Sequence, residues 1–171
     1  MTGDRITLTA DELVLGAEIG KGRRLRALER RAADQFPTPP DLAWARDVRG
    51  ALAELAFAKL LGVYFMPGSR LDRASGDVAG YQVRSTCDVE NGELILRPPD
   101  AETRIYVLMV GADREWRRAG WMSGKEGKDR SRFWSVVPFP AFHVPQQALH
   151  PWPPPAAPQR RTPEEDFLDL T

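Results

Sequence analysis

The chain has 171 residues, with 24 lysines and arginines against 24 aspartates and glutamates, so its formal net charge is zero. That length buries one good core and makes a single domain the expected unit, while the balanced charge leaves any nucleic-acid contact to local patches. One cysteine, Cys87, and two histidines, His143 and His150, exclude an internal disulfide framework and argue against a thiolate or imidazole zinc site.

Thr9-Ala10-Asp11-Glu12 places a capping threonine before first-turn acids, which predicts a helix running to about Ala33. Its second half, Lys21 to Arg31, is basic with Leu25 and Leu28 interleaved, and suits either a solvated face or an arm that contacts phosphates. Pro37-Thr38-Pro39-Pro40 breaks the chain, and Asp41 is expected to cap a second helix that ends at Leu61 with Gly62 just beyond it. Val63-Tyr64-Phe65 reads as a short strand, and Met66 to Gly76 as a loop.

Asp77 to Arg84 reads as a hairpin in which Ala79-Gly80 turns the chain and Gly80 takes a positive φ. Strand alternation then sends Gln82 and Arg84 to one side, Tyr81 and Val83 to the other. Asn91-Gly92 predicts another hairpin leading into a strand from Glu93 to Arg97. Ile105 to Val110 is apolar without alternation, as in a central strand covered on both faces, and Arg117 to Ser123 forms a further strand before a Gly/Lys-rich loop. Trp116, Trp121 and Trp134 read as packing groups, and Cys87 as a small buried residue. From Pro151 the chain becomes a proline-rich linker and then an acidic, disordered tail, in which Phe167, Leu168 and Leu170 form a peptide suited to a partner's groove. No apolar run approaches the ~20 residues of a bilayer span and no signal-peptide core opens the chain, so a soluble, cytoplasmic protein is expected.

Chemistry concentrates in two places. Asp77, Gln82 and Arg84 supply a carboxylate, an amide oxygen and a cation around one turn, a set suited to holding Mg²⁺ against a phosphodiester. Glu54 is the one carboxylate in the apolar stretch Gly50 to Gly62, and such an acid needs a metal or cation beside it. Pairing with an arginine, or reaching a domain edge, is the plain structural alternative. Arg70, Arg73, Lys125, Lys128 and Arg130, with Arg114, Arg117, Arg118 and Arg132 nearby in sequence, suit either a solvated surface or contacts to a nucleic acid such as DNA.

A helix with Glu54 in Gly-Ala-Leu-Ala-Glu-Leu-Ala-Phe-Ala-Lys-Leu-Leu-Gly, followed by Gly-Asp-Val-Ala-Gly-Tyr-Gln-Val-Arg, resembles the PD-(D/E)xK or restriction-endonuclease-like nucleases, especially small prokaryotic and phage-borne members. The resemblance covers about Gly50 to Gly124. It implies an α/β fold with a mixed central sheet flanked by helices, a nuclease domain over 1–150 and a linker and tail over 151–171. It further implies Mg²⁺ (or Mn²⁺) held by Asp77, Gln82 and Glu54, with Arg84 in the family's lysine position, and hydrolysis of DNA. Two departures matter. Gln82 lacks the charge of the usual second acid, and Arg84 cannot give up its proton. A degenerate nucleic-acid-binding or assembly module of the same fold is therefore the alternative.

Overall fold

The computed structural model describes residues 4–29, 39–65 and 76–154. Two helices come first. Helix α1 (Ala10–Glu29) is opened by Thr9 and Glu12, which exchange hydrogen bonds with each other's backbone N–H in a capping box. Helix α2 (Pro40–Leu61) starts at Pro39-Pro40, so the prolines themselves set its first turn and Pro39, not Asp41, is the N-cap residue. It ends as expected, with Gly62 left-handed at φ 66°. The N–H groups of Gly62 and Val63 return to the carbonyls of Lys59 and Ala58. Val63 is thus spent on closing the helix, and Val63-Tyr64-Phe65 is not a strand; Tyr64 is 87% exposed.

The helices pack antiparallel and very closely. A Cβ on Gly16 would lie 2.4 Å from Leu52 Cδ2, and one on Gly20 would lie 2.4 Å from Val48 Cα. Small residues four apart let the two backbones meet at this crossing. The apolar run of α2 is consequently covered on both sides, by α1 and by the sheet, with Ala51 to Ala58 buried.

The first sheet has the order β1-β5-β4-β2, built from β1 (Arg5–Thr7), β2 (Gln82–Thr86), β4 (Ile105–Ala112) and β5 (Glu115–Ser123). Strand β2 runs parallel to β4, and the other pairings are antiparallel, so the sheet is mixed and the fold is α/β in the broad sense. Strand β4 is central and covered on both faces: Val107 and Met109 meet α2, while Tyr106, Leu108 and Val110 face away from it. What covers that second face differs from expectation. A three-stranded sheet, β3 (Glu93–Leu96), β7 (Ala141–Pro145) and β6 (Trp134–Ser135), packs there with two short helical turns, α3 (Gly124–Gly127) and α4 (Arg130–Phe133). Long helices therefore flank one face only.

Asn91-Gly92 does not form a hairpin. Asp88 organises that segment, its Oδ1 accepting from Glu90 N and Asn91 N, and β3 leaves it to pair with β7 about 50 residues on. Cys87 is exposed, because it lies in the bend between β2 and this turn. The expected boundary at Pro151 also moves. Trp152 stands edge-on to Phe57 and Tyr81 and lies 4.1 Å from the Arg118 guanidinium, while Pro154 is buried. Residues 151–154 are thus a strap packed onto the domain. No helix among the described residues is long and apolar enough to cross a membrane.

Candidate functional site

The turn before β2 is tighter than glycine alone requires. Both Ala79 (φ 48°) and Gly80 (φ 86°) have positive φ, the pattern of a type I′ turn, and Val78 pairs with Tyr81 across it. Asp77 stands at its entrance and turns its carboxylate back onto the chain: Oδ2 accepts from Val83 N at 2.8 Å. Strand β2 is a sheet edge, so this bond occupies a backbone donor that would otherwise be open.

Glu54 has a more demanding partner. It is 8% exposed on α2, and Arg23 of α1 grips both of its oxygens, Nη1 to Oε1 at 2.7 Å and Nη2 to Oε2 at 2.5 Å. This fork-on-fork geometry is the strongest a carboxylate can form with a side chain. Burial pushes the Glu54 carboxyl above the usual glutamate range against the pull of Arg23, and the charge of Asp77 adds to the rise while Arg84 opposes it. Burial would lower the Arg23 guanidinium, but Glu54 outweighs it, with Asp77 and Asp47 adding to the upward shift.

Gln82 and Arg84 share the face of β2 opposite Val83, as alternation requires. Val83 joins the core under α2, so Gln82 and Arg84 lie on the side away from Glu54. Arg84 lies 5.2 Å from the centre of the Tyr106 ring and donates to both oxygens of Asp100 at 3.2 Å. Asp100 in turn accepts from Arg97 N at 2.9 Å. The Arg97 guanidinium is pushed down by burial first and then by the charges of Arg84 and Arg46, with Asp100 opposing. The Arg84 guanidinium and the backbone N–H of Arg97 thus meet at Asp100 beside the edge strand.

Asp77, Gln82 and Arg84 are thus gathered at one strand edge while Glu54 lies behind the other face of that strand, and the four do not form a common cage. Glu54 feels the charges of Asp77 and Arg84, yet each of the three is held by a partner from the chain. Among the described residues, no three His, Cys, Asp or Glu side chains are grouped as metal ligands. With both Glu54 oxygens on Arg23, one Asp77 oxygen on Val83 and Gln82 uncharged, this donor set does not fit a Mg²⁺ site.

Of the expected DNA contacts, Arg70 and Arg73 lie outside the described residues. Lys125 is exposed on α3, and Arg130 is exposed and stacked 4.5 Å over Trp134. Lys128 is structural: its Nζ donates to the carbonyls of Pro98 and Asp100 and pairs with Glu102. Arg114 donates to Leu8 O, Arg117 to Val89 O and Gln146 Oε1, and Arg118 to Asp4. No family model matches the sequence, and no curated protein or solved structure matches it significantly. Arg46, Arg97 and Asp100 are groups that the sequence left unread as site groups, while Arg23 was read as part of a solvated or phosphate-contacting face and Tyr106 as part of the central strand. For Arg23 a signal existed, since Gly16 and Gly20 mark the helix crossing that presents it to α2.

Proposed function

We propose that this chain is a nucleic-acid-binding module on a restriction-endonuclease-like plan, whose site works through arginines and not through a divalent ion. One observation carries the reading: Arg23 holds both oxygens of Glu54, the helix acid that the resemblance assigns to metal. On the other face of β2, Arg84, held by Asp100, is the cation that a phosphodiester would meet at this edge. A guanidinium matches two phosphate oxygens at once, so an arriving phosphate would compete with Asp100 for Arg84. Because arginine stays protonated, the site supplies grip and charge but no base.

Fluorescence anisotropy with labelled single- and double-stranded DNA and RNA tests this. Binding should persist in EDTA and weaken steeply with salt, and Arg84→Ala should flatten the log-log salt slope by about 1. Binding that needs Mg²⁺, or no binding to any of the three, would refute it.

A second reading, a Mg²⁺-dependent DNA nuclease, is favoured by one observation, Asp77 standing at the tight turn that leads into Gln82 and Arg84. It requires Arg23 to release Glu54. Under it, cleavage appears with Mg²⁺ or Mn²⁺, stops in EDTA and disappears in Asp77→Ala. The recruitment role expected for Phe167, Leu168 and Leu170 concerns residues outside those described.

A further inference from the structure

Helix α1 is apolar on the side where it should be polar. Its inward side is fixed by packing: Gly16 and Gly20 lie against α2, and Arg24 one turn on is buried. At about 100° per residue, the side opposite Gly20 carries Leu15, Glu18 and Leu25, flanked by Val14, Lys21 and Leu28. A surface helix ordinarily shows water charged and polar groups there. Instead Val14, Leu15, Leu25 and Leu28 are each between 44% and 64% exposed. Val14, Glu18, Lys21, Leu25 and Leu28 also follow one another in alternating steps of four and three, the seam spacing of a helix that packs lengthwise on another helix.

Charge selects the partner helix. Along this stripe the acid Glu18 precedes the cation Lys21, with an apolar residue beyond each. When two copies of α1 lie antiparallel about an axis between Ile19 and Gly20, Val14 of one meets Leu25 of the other, and Glu18 meets Lys21, each twice. A parallel pair in register would instead set Glu18 on Glu18 and Lys21 on Lys21, which repel. Within one chain Lys21 Nζ already reaches both Glu18 oxygens, at 3.3 and 3.2 Å. Both side chains are more than half exposed, and a surface pair three residues apart holds weakly, so it re-partners across the axis at little cost. We propose that the outward stripe of α1 is a self-association surface, on which a second copy of this chain packs antiparallel in a two-fold contact. A 20-residue helix is about 30 Å long, so one such seam falls short of the roughly 1,200 Å² that stable pairs bury, and the dimer is a weak one. The surface lies on a different part of the chain from the site of the function proposed above and does not depend on it.

The test is sedimentation equilibrium of the full-length chain over roughly 5–500 μM, with no nucleic acid present. The average mass should climb with concentration from one copy towards two. Leu25→Glu sets a charge against Val14 at both ends of the contact, and should raise the dissociation constant at least about tenfold with the circular dichroism unchanged. Glu18→Lys and Lys21→Glu should each weaken self-association. Mixing these two variants one to one should restore it, because every residue 18 then faces an opposite charge at residue 21 of the other copy. A wild type that stays single up to roughly 500 μM would overturn the proposal. So would association indifferent to Leu25→Glu, or a mixture no tighter than its two components. Loss of association in full-length Phe167→Ser/Leu168→Ser would assign the stripe to the tail and overturn it as well. Failure to bind nucleic acid in the separate anisotropy assay would sink the functional reading and leave this result untouched.

Discussion

Trp152 tests whether the proline-rich strap belongs to the domain. Its ring centroid lies 5.6 Å from both Phe57 and Tyr81, and the Arg118 guanidinium lies 4.1 Å from it on a third side. The strap is tied beside it by Trp121, whose Nε1 donates to Pro151 O at 2.8 Å and whose backbone exchanges two bonds with His150. Fully buried tryptophans cost about 3–5 kcal/mol on truncation to alanine. Trp152 is half-buried, which lowers the figure, while two edge-on aromatic pairs and a desolvated cation–π contact raise it by roughly 0.5–2 kcal/mol each. Trp152→Ala should therefore cost about 3 kcal/mol, a fall in midpoint of roughly 6–12 °C for a chain of this size. Urea unfolding monitored by circular dichroism should show a lower midpoint at unchanged slope. The contact reaches the site as well, since Phe57 follows Glu54 on α2 and Tyr81 immediately precedes Gln82. The variant should accordingly weaken nucleic-acid binding too. A variant, or a chain cut after His150, that unfolds at the wild-type midpoint would refute the reasoning.

Arg23→Met should cost about 3 kcal/mol, the lower end for a broken buried pair because the Arg23 side chain is 31% exposed. Adding Glu54→Gln should recover much of that loss, and a double-mutant cycle that is simply additive would contradict the pairing. The raised Glu54 carboxyl means that the folded chain holds this proton more tightly than the unfolded chain. Stability from this group therefore falls as pH rises from about 4.3 through the higher folded value, and Glu54→Gln should remove that slope from plots of unfolding free energy against pH. Gly20→Ala gains about 1 kcal/mol of helix propensity but drives a methyl into the Val48 backbone; a net loss of about 1–2 kcal/mol is expected, and a more stable variant would show that the crossing is looser than described.

What the sequence made legible was local. The strand Ile105 to Val110, the close of α2 at Gly62 and the turn at Ala79-Gly80 are each written in a few adjacent residues, and each appears where expected. The second sheet is not local. Ala141–Pro145 is short and edged by prolines, and nothing within it tells that its partners are Glu93–Leu96 on one side and Trp134–Ser135 on the other. The site divides in the same way. Alternation correctly placed Gln82 and Arg84 on one face of β2, but it could not say that Glu54 would lie behind the other face. The partner of Glu54 is 31 residues away on a different helix, fixed by a crossing whose only local trace is two glycines four apart.

A chain of zero net charge spends part of that charge on internal pairs. Among the described residues, Glu12 is held this way by Lys59, Glu54 by Arg23, and Asp100 by Arg84 and by the N–H of Arg97. Each of these pairs is locally neutral, so what an incoming phosphate meets depends on whether it can take Arg84 from Asp100. Screening beyond about 8 Å at physiological salt means that an incoming phosphate responds to this local balance and not to the total. A divalent ion at the same place would concentrate twice the charge in a sphere and polarise a water, whereas planar guanidiniums spread theirs over fixed donors and leave water unactivated. Under the proposed reading, exchanging the ion for arginines keeps recognition of the phosphodiester and gives up its hydrolysis.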